Sequence, residues 1–424
     1  MTQLSIDQEE ALSSIMSFLE GTTTEHILTG GPGVGKTFTV RHLIDKITER
    51  SNGRVHIYLT ATTNKAASVL GDMTCTNAQT IHKLLNLRVK ENYRTGKTSI
   101  SRGSKRLNLI CKSLWILDES SMVNEELHRI ILQYADEFQS KILYVGDQYQ
   151  LPPVFSSIGS VFKHVTDISE LNTIHRQGEH SSILIEAAKF REIIKCEEQP
   201  LFPALHSTND ITLLNMDQFH NKMKEVFNTD EYRADIDHAK VLSWTNKTVD
   251  HYSAFVRSMF YDVPERVVGE HLIVSNCSNN DIPLKTEDTI VVKSTDFGEL
   301  YGIAGQWMTV DNGEDICRIF AASDRSELQD YLKTLATEAK KNRNWKEFFD
   351  IKKQFLELRP VYASTIHKAQ GGSMDVIFLD ISDVGKNTKW NEVARLIYVA
   401  LTRARNHVYI TGEIPSRLLE GKPL

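Results

Sequence analysis

Eight consecutive residues at positions 30–37 carry the residue types that hold the phosphates of a nucleotide. Gly30 and Gly35 are separated by four residues, and Lys36 and Thr37 follow directly. Glycines let a loop wrap with its N–H groups pointing inward, and the helix N-terminus that follows favours negative charge. We therefore expect Lys36 to reach the terminal phosphates of a nucleoside triphosphate and the Thr37 hydroxyl to bind Mg²⁺.

The context of this loop supports the same interpretation. The apolar residues at 26–28 predict a short buried strand before it, and residues 38–47 show helical periodicity after it. A glycine-rich turn that binds nothing is the alternative, but every fixed position of the pattern is filled. The nucleotide-binding candidates of the loop are Gly31, Gly33, Val34, Gly35, Lys36 and Thr37.

Two further groups of polar residues follow apolar runs. Asp118 and Glu119 end the run at 114–117, where the first acid can hold Mg²⁺ and the second can deprotonate an attacking water. Plain solvated charge is the alternative for this pair. Gln150 follows the apolar run at 141–145 in a loop that two prolines end, and its amide could sense a terminal phosphate.

Composition excludes several classes of protein. The chain has 424 residues, 41% hydrophobic and 25% charged, with a net charge of −6, so we expect two or more globular domains. Its five cysteines include no CxxC pair, which disfavours a zinc site or a disulfide framework. Residues 1–10 are polar and no apolar run has the length of a membrane span, so the expected location is the cytoplasm, with no membrane partner.

The elements that must position these residues alternate between strands and helices over the first 190 residues. This alternation predicts a parallel sheet with helices on both faces. Within it, the basic stretch at 88–106 predicts a hairpin with a turn at 94–97, and a solvated loop is the alternative. Hydroxyl groups at 60–63 follow the strand at 55–59, where they could bind a ligand or cap a helix.

The middle of the chain has a different character. Short β-rich segments between residues 263 and 322 are separated by Gly, Asn and Asp turns, which predict a small barrel-like insertion. Two helices are predicted after it, at 326–340 and 345–358. A second α/β core begins at 240–246 and resumes at 362.

The order of the motifs resembles that of superfamily 1 helicases, and the residues within them are similar to those of the RecD-like branch, superfamily 1B. The matching residues are 30–37, Asp118 with Glu119, 146–153, Arg176, 365–371 and 398–405. The resemblance implies an α/β fold with two RecA-like parallel-sheet P-loop domains. It also implies a β-hairpin insertion in the first domain and an SH3-like β-barrel with a helical hairpin in the second.

The implied domain boundaries follow from the same resemblance. The first RecA-like domain would span residues 1–190 and include a strand-splitting hairpin, the pin, at about 86–107. The second would consist of residues 191–252 and 360–424, and the barrel with its helical hairpin would occupy residues 253–359.

The resemblance also implies roles for the nucleotide site. Gln8 would read the adenine base, and Thr37 with Asp118 would hold the metal. Glu119 would be the general base, and Gln150 would couple the terminal phosphate to DNA. Arg176 and Arg403 would close on the transition-state charge, and Gly371 is a further nucleotide-binding candidate.

For the DNA side, the resemblance implies a groove across both RecA-like domains with contacts mainly to phosphates and stacked bases. Its candidate residues are Thr63, Thr80, His82, Asn246, Thr365, His367 and Lys368, with Tyr93 as the aromatic residue of the pin. The implied partners are single-stranded and forked duplex DNA, with a single-strand-binding protein or replication proteins as further candidates. The chain is expected to act as a monomer, and the resemblance implies the cytoplasm of a bacterial host if the gene is phage-encoded.

The leading hypothesis is thus an ATP-driven DNA helicase that moves 5′ to 3′ along one strand, its polarity implied by the resemblance alone. One alternative is a DNA-stimulated ATPase that binds single strands or displaces proteins without processive unwinding. Another is the helicase subunit of a nuclease complex, which is disfavoured because the chain offers no appended cluster of nuclease acids.

Overall fold

The computed structural model describes residues 4–95, 98–103, 107–153, 159–173, 181–277 and 281–419. Within this part of the chain, two compact units are present. The first comprises Met1–Asn86, Gly103–Val249 and Ser364–Leu424, and the second comprises Leu87–Arg102 and Asp250–Ala363. Among the described residues, no helix combines the length and apolar character needed to cross a lipid bilayer.

The N-terminal part of the first unit is built on a parallel sheet. Strands up to residue 171 are β1 (Glu25–Gly30), β2 (Ile57–Ala61), β3 (Ala78–Thr80), β4 (Leu87–Glu91), β5 (Thr98–Arg102), β6 (Leu114–Asp118), β7 (Lys141–Gly146) and β8 (Ile168–Leu171). Six of them form a sheet in the order β3-β2-β6-β7-β1-β8, and every neighbouring pair is parallel. The first predicted parallel sheet is therefore confirmed.

Helices cover this sheet and bury apolar residues against it. They are α1 (Ile6–Glu20), α2 (Lys36–Ser51), α3 (Asn64–Thr74), α4 (Ile81–Leu84), α5 (Glu125–Glu137) and α6 (Ser160–His164). Leu12 of α1, Leu43 of α2 and Leu70 of α3 lie in one core with Leu28 and Ile116 of the sheet. Because this core holds the central strands in place, the loops at their carboxyl ends have a fixed base.

The strands after residue 171 form a second parallel sheet in the first unit and an antiparallel sheet in the second unit. The remaining strands are β9 (Ile211–Leu214), β10 (Ala239–Ser243), β11 (His271–Asn276), β12 (Thr289–Leu300), β13 (Ile303–Asp311), β14 (Ile316–Ala322), β15 (Glu357–Pro360), β16 (Ala363–Thr365), β17 (Met374–Asp380) and β18 (Ala404–Thr411). The second sheet has the order β16-β10-β17-β18-β9, with parallel pairing along β10, β17, β18 and β9. The prediction of two parallel sheets is thus confirmed.

The remaining helices are α7 (Ser182–Lys195), α8 (Met216–Phe227), α9 (Asp230–Ala234), α10 (Asn246–Arg257), α11 (Arg325–Asn342), α12 (Lys346–Lys352), α13 (Ile381–Val384), α14 (Trp390–Arg403) and α15 (Ser416–Leu419). Helix α14 is buried at every position from Val393 to Arg403. It shares its core with Ile183, Ala187 and Phe190 of α7, the helix in which the expected domain boundary at residue 190 falls.

The second unit contains an antiparallel sheet in the order β14-β13-β12-β11-β15, with its own apolar core. Strand β12 runs to Leu300, because it pairs with β13 in a long hairpin. Helix α12 ends at Lys352, so the prediction of a helix to residue 358 is wrong. The reason is that Leu356 donates its N–H to Phe320 and residues 357–360 join the sheet as β15.

The hairpin predicted within the basic stretch at 88–106 is also part of the second unit. Strands β4 and β5 pair antiparallel, with Leu87 opposite Arg102 and Glu91 opposite Thr98. The backbone carbonyl of Tyr93 accepts a hydrogen bond of 2.7 Å from the N–H of Trp345, just before α12. The turn of the hairpin is therefore attached to the helical pair.

Candidate active site

The loop at 30–37 joins β1 to α2 as the sequence predicts. Gly33 and Gly35 have φ of 78° and 80°, a left-handed conformation that glycine adopts without strain. The Lys36 ammonium group donates to the carbonyls of Gly30 at 2.8 Å and Gly31 at 2.9 Å. Lys36 is thereby held over the loop that would cradle the phosphates.

Gln8 lies against this loop from α1. Its Nε2 donates to the Val34 carbonyl at 3.1 Å, and its Oε1 accepts from the Ser5 N–H at 3.1 Å. Both ends of the buried amide are thus fixed. The side chain adjoins Gly35 so closely that a Cβ added there would lie 2.6 Å from its Nε2.

A cavity of about 640 Å³ opens above the loop. Predicted residues that line it are Gln8, Gly33, Gly35, Lys36, Thr37, Glu119, Gly371 and Arg403. The first six come from the first sheet and its helices, whereas Gly371 and Arg403 come from the second. The structure therefore brings residues of both parallel sheets to one cavity.

Asp118 lies behind this cavity at the end of β6. Burial, reinforced by the charge of Glu119, raises the pKa of Asp118 to about 7, although Lys36 acts in the opposite direction. Its Oδ1 accepts the Glu119 N–H at 2.8 Å. A carboxylate in this position needs more positive charge than Lys36 supplies, which a divalent cation would provide.

Glu119 itself lines the cavity with an unusual backbone conformation. Its φ is 53°, in the left-handed region that few residues other than glycine adopt. The Thr62 hydroxyl donates to its carbonyl at 3.3 Å. Strain of this kind is often found at functional sites.

The remaining candidates of the nucleotide site are Gln150 and two arginines. Gln150 is buried on the loop after β7, and its Oε1 has no hydrogen-bond partner in the described part of the chain. Arg403 donates from Nη1 to the Gly372 carbonyl at 3.1 Å and from Nη2 to Thr402 Oγ1 at 3.2 Å. Arg176 lies outside the described residues, but Asn172 and Thr173 before it both donate to Asp7 Oδ2 at 2.8 Å.

The DNA-binding candidates of the first sheet follow the ends of β2 and β3. Thr63 caps α3 by accepting the Ala66 N–H at 3.2 Å, and Thr80 caps α4 by accepting the Lys83 N–H at 3.2 Å. The two side chains therefore have a structural role, and each hydroxyl hydrogen can still be donated. Burial lowers the pKa of His82, which favours a neutral imidazole.

The candidates of the second sheet follow the ends of β10 and β16, which are neighbours at its edge. Asn246 begins α10, and Thr365 ends β16 and accepts the Lys368 N–H at 3.3 Å. Burial lowers the pKa of His367, against an opposing effect of Glu392. Tyr93 belongs to the second unit, where it is 44% exposed.

Some contacts at the site were not predicted. Tyr398 donates its hydroxyl to Asp147 at 2.5 Å, and Arg395 donates to the carbonyls of Gln148 and Gln150. Arg395 could have been found in the sequence, because it is a lone charged residue in the otherwise apolar run at 393–401. Such a residue in a buried helix requires partners.

Two family models match the chain. The AAA domain model matches residues 3–192, which include the phosphate loop, and the UvrD-like helicase C-terminal domain model matches residues 360–411, which include Arg403. The ATP-dependent DNA helicase Dda of enterobacteria phage T4 is 25% identical over 451 residues, covering 95% of this chain and 98% of its own. The predicted resemblance to RecD-like superfamily 1 helicases is confirmed.

Other relatives extend this resemblance. An uncharacterized protein of Acanthamoeba polyphaga mimivirus is 22% identical over 496 residues, covering 94% of this chain and 97% of its own. The ATP-dependent RecD2 DNA helicase of Deinococcus radiodurans is 31% identical over 159 residues, which are 37% of this chain and 20% of that protein.

Solved structures support the same fold. The Pif1 helicase from Bacteroides in complex with ADP-AlF3 and single-stranded DNA aligns with a TM-score of 0.55 at 16% identity, covering 99% of this chain and 94% of that one. A structure of two coordinating Pif1 helicases at forked DNA gives a TM-score of 0.54 at 17% identity, with 99% and 94% coverage. The two parallel sheets of the present chain are accordingly RecA-like.

Proposed function

We propose that the chain is an ATP-dependent DNA helicase that moves 5′ to 3′ along single-stranded DNA and separates duplexes. The observation that carries this proposal is the cavity in which Lys36 and Glu119 of the first sheet face Arg403 of α14. An arginine supplied by a second domain makes hydrolysis depend on the position of that domain. Cycles of ATP binding and hydrolysis would then move one RecA-like domain against the other.

Each residue of the proposed nucleotide site would have a separate task. Lys36 and the N–H groups of the loop would bind the terminal phosphates, and Gln8 would contact the adenine base. Glu119 would accept a proton from the attacking water, while Gln150 would hydrogen-bond the terminal phosphate. Arg403, together with Arg176, would stabilise the charge that develops during transfer.

The donor set fits Mg²⁺. Mg²⁺ is usually bound by one or two carboxylates together with substrate phosphates, so the hydroxyl of Thr37 and the carboxylate of Asp118 are sufficient protein ligands. The raised pKa of Asp118 supports this assignment, because a buried carboxylate there lacks compensating charge. Bound Mg²⁺ would neutralise phosphate charge during hydrolysis.

For DNA, we propose a groove along the ends of β2, β3, β10 and β16. Thr63, Thr80, Asn246 and Thr365 would donate to phosphates, and Lys368 would add positive charge. His82 and His367 would act as neutral rings, because burial lowers the pKa of each. The chain would act on single-stranded and forked DNA as a monomer in the cytoplasm, with single-strand-binding or replication proteins as candidate partners.

A strand-displacement assay with 5′-tailed and 3′-tailed duplexes tests the proposal. With ATP and Mg²⁺, we expect displacement from the 5′-tailed substrate alone. Lys36→Ala is the matched control, since it should lose hydrolysis while retaining single-strand binding measured by fluorescence anisotropy.

Two outcomes would contradict the proposal. ATP hydrolysis by Lys36→Ala at the wild-type rate would refute the assignment of the phosphate loop. DNA-stimulated hydrolysis without displacement of either substrate would favour the alternative, an ATPase that binds single strands or displaces proteins without processive unwinding.

A further inference from the structure

One face of α14 is bonded to the loop that carries Gln150. The Tyr398 hydroxyl donates to Asp147 Oδ2 at 2.5 Å. Arg395, one turn earlier on the helix, donates from Nη1 to the carbonyl of Gln148 at 2.8 Å and to that of Gln150 at 2.7 Å. Two side chains of the second RecA-like domain therefore hold a loop of the first.

These contacts are deeply buried. Asp147 has 0%, Tyr398 1% and Arg395 7% of its surface exposed. Burial, followed by the charge of Asp147, raises the pKa of Tyr398 well above its usual value, so its hydroxyl remains a donor. Hydrogen bonds of this kind are stronger than surface contacts because water does not compete for them.

The loop is also closed upon itself. The N–H of Tyr149 donates to Asp147 Oδ1 at 3.0 Å, and the N–H of Gln150 donates to the Asp147 carbonyl at 3.2 Å. Asp147 is therefore the centre of the turn, and a bond to Asp147 sets the position of Gln150. The Gln150 Oε1, in contrast, has no partner among the described residues.

The same helix carries Arg403. Tyr398 and Arg403 are five residues apart, which corresponds to about 7.5 Å along a helix axis. Tyr398 also lies against the phosphate loop, since a Cβ on Gly31 would be 3.5 Å from its hydroxyl. One rigid helix thus links the turn of Gln150, the phosphate loop and Arg403.

We propose that Tyr398 and Arg395 are positioning residues that hold Gln150 in register with Arg403, so that both reach the same terminal phosphate. This inference rests on the proposed ATP hydrolysis. Tyr398 and Arg395 do not touch the nucleotide themselves, because they act through the backbone of the turn. Without them, Gln150 and Arg403 would still be present but would no longer be aligned.

A double-mutant cycle distinguishes positioning from plain packing. Tyr398→Phe keeps the ring and removes only the hydroxyl, and we expect it to lower kcat of DNA-stimulated hydrolysis about tenfold with KM for ATP changed less than about twofold. If Tyr398 acts through Gln150, Tyr398→Phe in a Gln150→Ala background should lower kcat by a further factor of less than about two, compared with Gln150→Ala alone. The fall in melting temperature that it produces should be equal in both backgrounds.

Two further variants complete the design. Arg395→Met should reproduce the loss of kcat, and Arg395→Lys should restore part of it, because an ammonium group can still donate to a carbonyl. Tyr409→Phe, in the neighbouring strand β18, is the matched control and should leave kcat unchanged. If Tyr398→Phe does not fold, the two Arg395 variants are measured in the same cycle with Gln150→Ala.

The outcomes separate the inference from the proposed function. If the wild-type protein shows no DNA-stimulated hydrolysis, the proposed function fails. If it hydrolyses ATP and the effects of Tyr398→Phe and Gln150→Ala multiply, the positioning role is overturned and Tyr398 contributes packing alone.

Discussion

At the scale of single residues, Arg403 of α14 lines the same cavity as Lys36 of the phosphate loop. Its guanidinium is bonded to Gly372 and Thr402 within its own domain, and its Nε has no partner among the described residues. The guanidinium is therefore oriented by these two bonds, and its Nε remains an unused donor among the described residues.

We expect Arg403→Ala to lower kcat of ATP hydrolysis by about 10³, because the charge on the transferring phosphoryl group would lose its partner. Binding of a non-hydrolysable ATP analogue, measured by calorimetry, should change only a few-fold. Arg233→Ala is the comparison, since Arg233 does not line the cavity, pairs with Asp230 and Asn228 and is 60% exposed. Loss of nucleotide binding alone in Arg403→Ala would contradict the assignment.

Gly35 provides a second test at this scale. Gly35→Ala places a Cβ 2.6 Å from Gln8 Nε2 at a φ of +80°, so we expect nucleotide binding to be lost as Gln8 is displaced. Gly53→Ala is the matched control, because its φ is +71° and nothing lies within 4 Å of the added Cβ. Both variants should lose about 1–2 kcal/mol of stability from the left-handed conformation, and equal ATP affinities would argue against the role of Gln8.

The sequence predicted these residues to different degrees. The phosphate loop could be found because its glycines, Lys36 and Thr37 are adjacent in the chain. Tyr398 and Asp147 are 251 residues apart, so their hydrogen bond could not be found from spacing. Residue type could have indicated Arg395, which was not predicted, since an arginine within a buried apolar helix must be compensated.

At the scale of elements, the hairpin β4–β5 has a defined attachment. Tyr93 at its turn contacts α12 through the Trp345 N–H, and its ring centroid is 6.0 Å from that of Phe349. An exposed aromatic on an anchored turn can stack on a base without losing its own support.

We therefore expect Tyr93→Ala to slow duplex unwinding several-fold while DNA-stimulated ATP hydrolysis stays near the wild-type rate. A stopped-flow unwinding assay and a coupled ATPase assay measure the two quantities. Tyr301→Ala is the control, because Tyr301 is a tyrosine of similar exposure, 51%, at the tip of the β12–β13 hairpin. Equal unwinding rates of the two variants would exclude Tyr93 as the strand-splitting aromatic residue of the pin.

Element types were more predictable than element ends. Parallel strands such as β6 and β7 were found because they are continuous apolar runs bounded by polar residues. The end of α12 was not, because Phe355 has helical spacing with Phe348 yet lies beside Phe320 of the sheet. Tertiary pairing there overrides local periodicity.

At the scale of the whole molecule, the two units have separate cores, and a buried ion cluster stabilises the second. Glu270 has no exposed side-chain surface and pairs at 2.8 Å with both Arg257 and Arg266. Burial alone would raise the pKa of Glu270, but the two arginines outweigh it and hold the pKa below its usual value.

We expect two transitions in calorimetric unfolding, one for each unit. Glu270→Gln should lower the free energy of unfolding of the second unit by about 3–5 kcal/mol, because two arginines would lose their counter-charge. A depressed carboxylate pKa contributes stability above the unfolded value of about 4.3 and loses it as the pH falls through the folded value. In the wild type, the transition temperature of the second unit should therefore fall below about pH 4. Asp330→Asn, which breaks the exposed pair with Lys333, should move neither transition.

The strand order of the second parallel sheet has a consequence for synthesis on the ribosome. Strands β9 and β10 are not neighbours, and every partner of theirs, β16, β17 and β18, lies beyond residue 362. At roughly 5–20 residues per second, β10 emerges many seconds before any strand that can pair with it. During that interval its apolar edge is open to other nascent chains, so slower, cooler expression or a holding chaperone should raise the yield of folded protein.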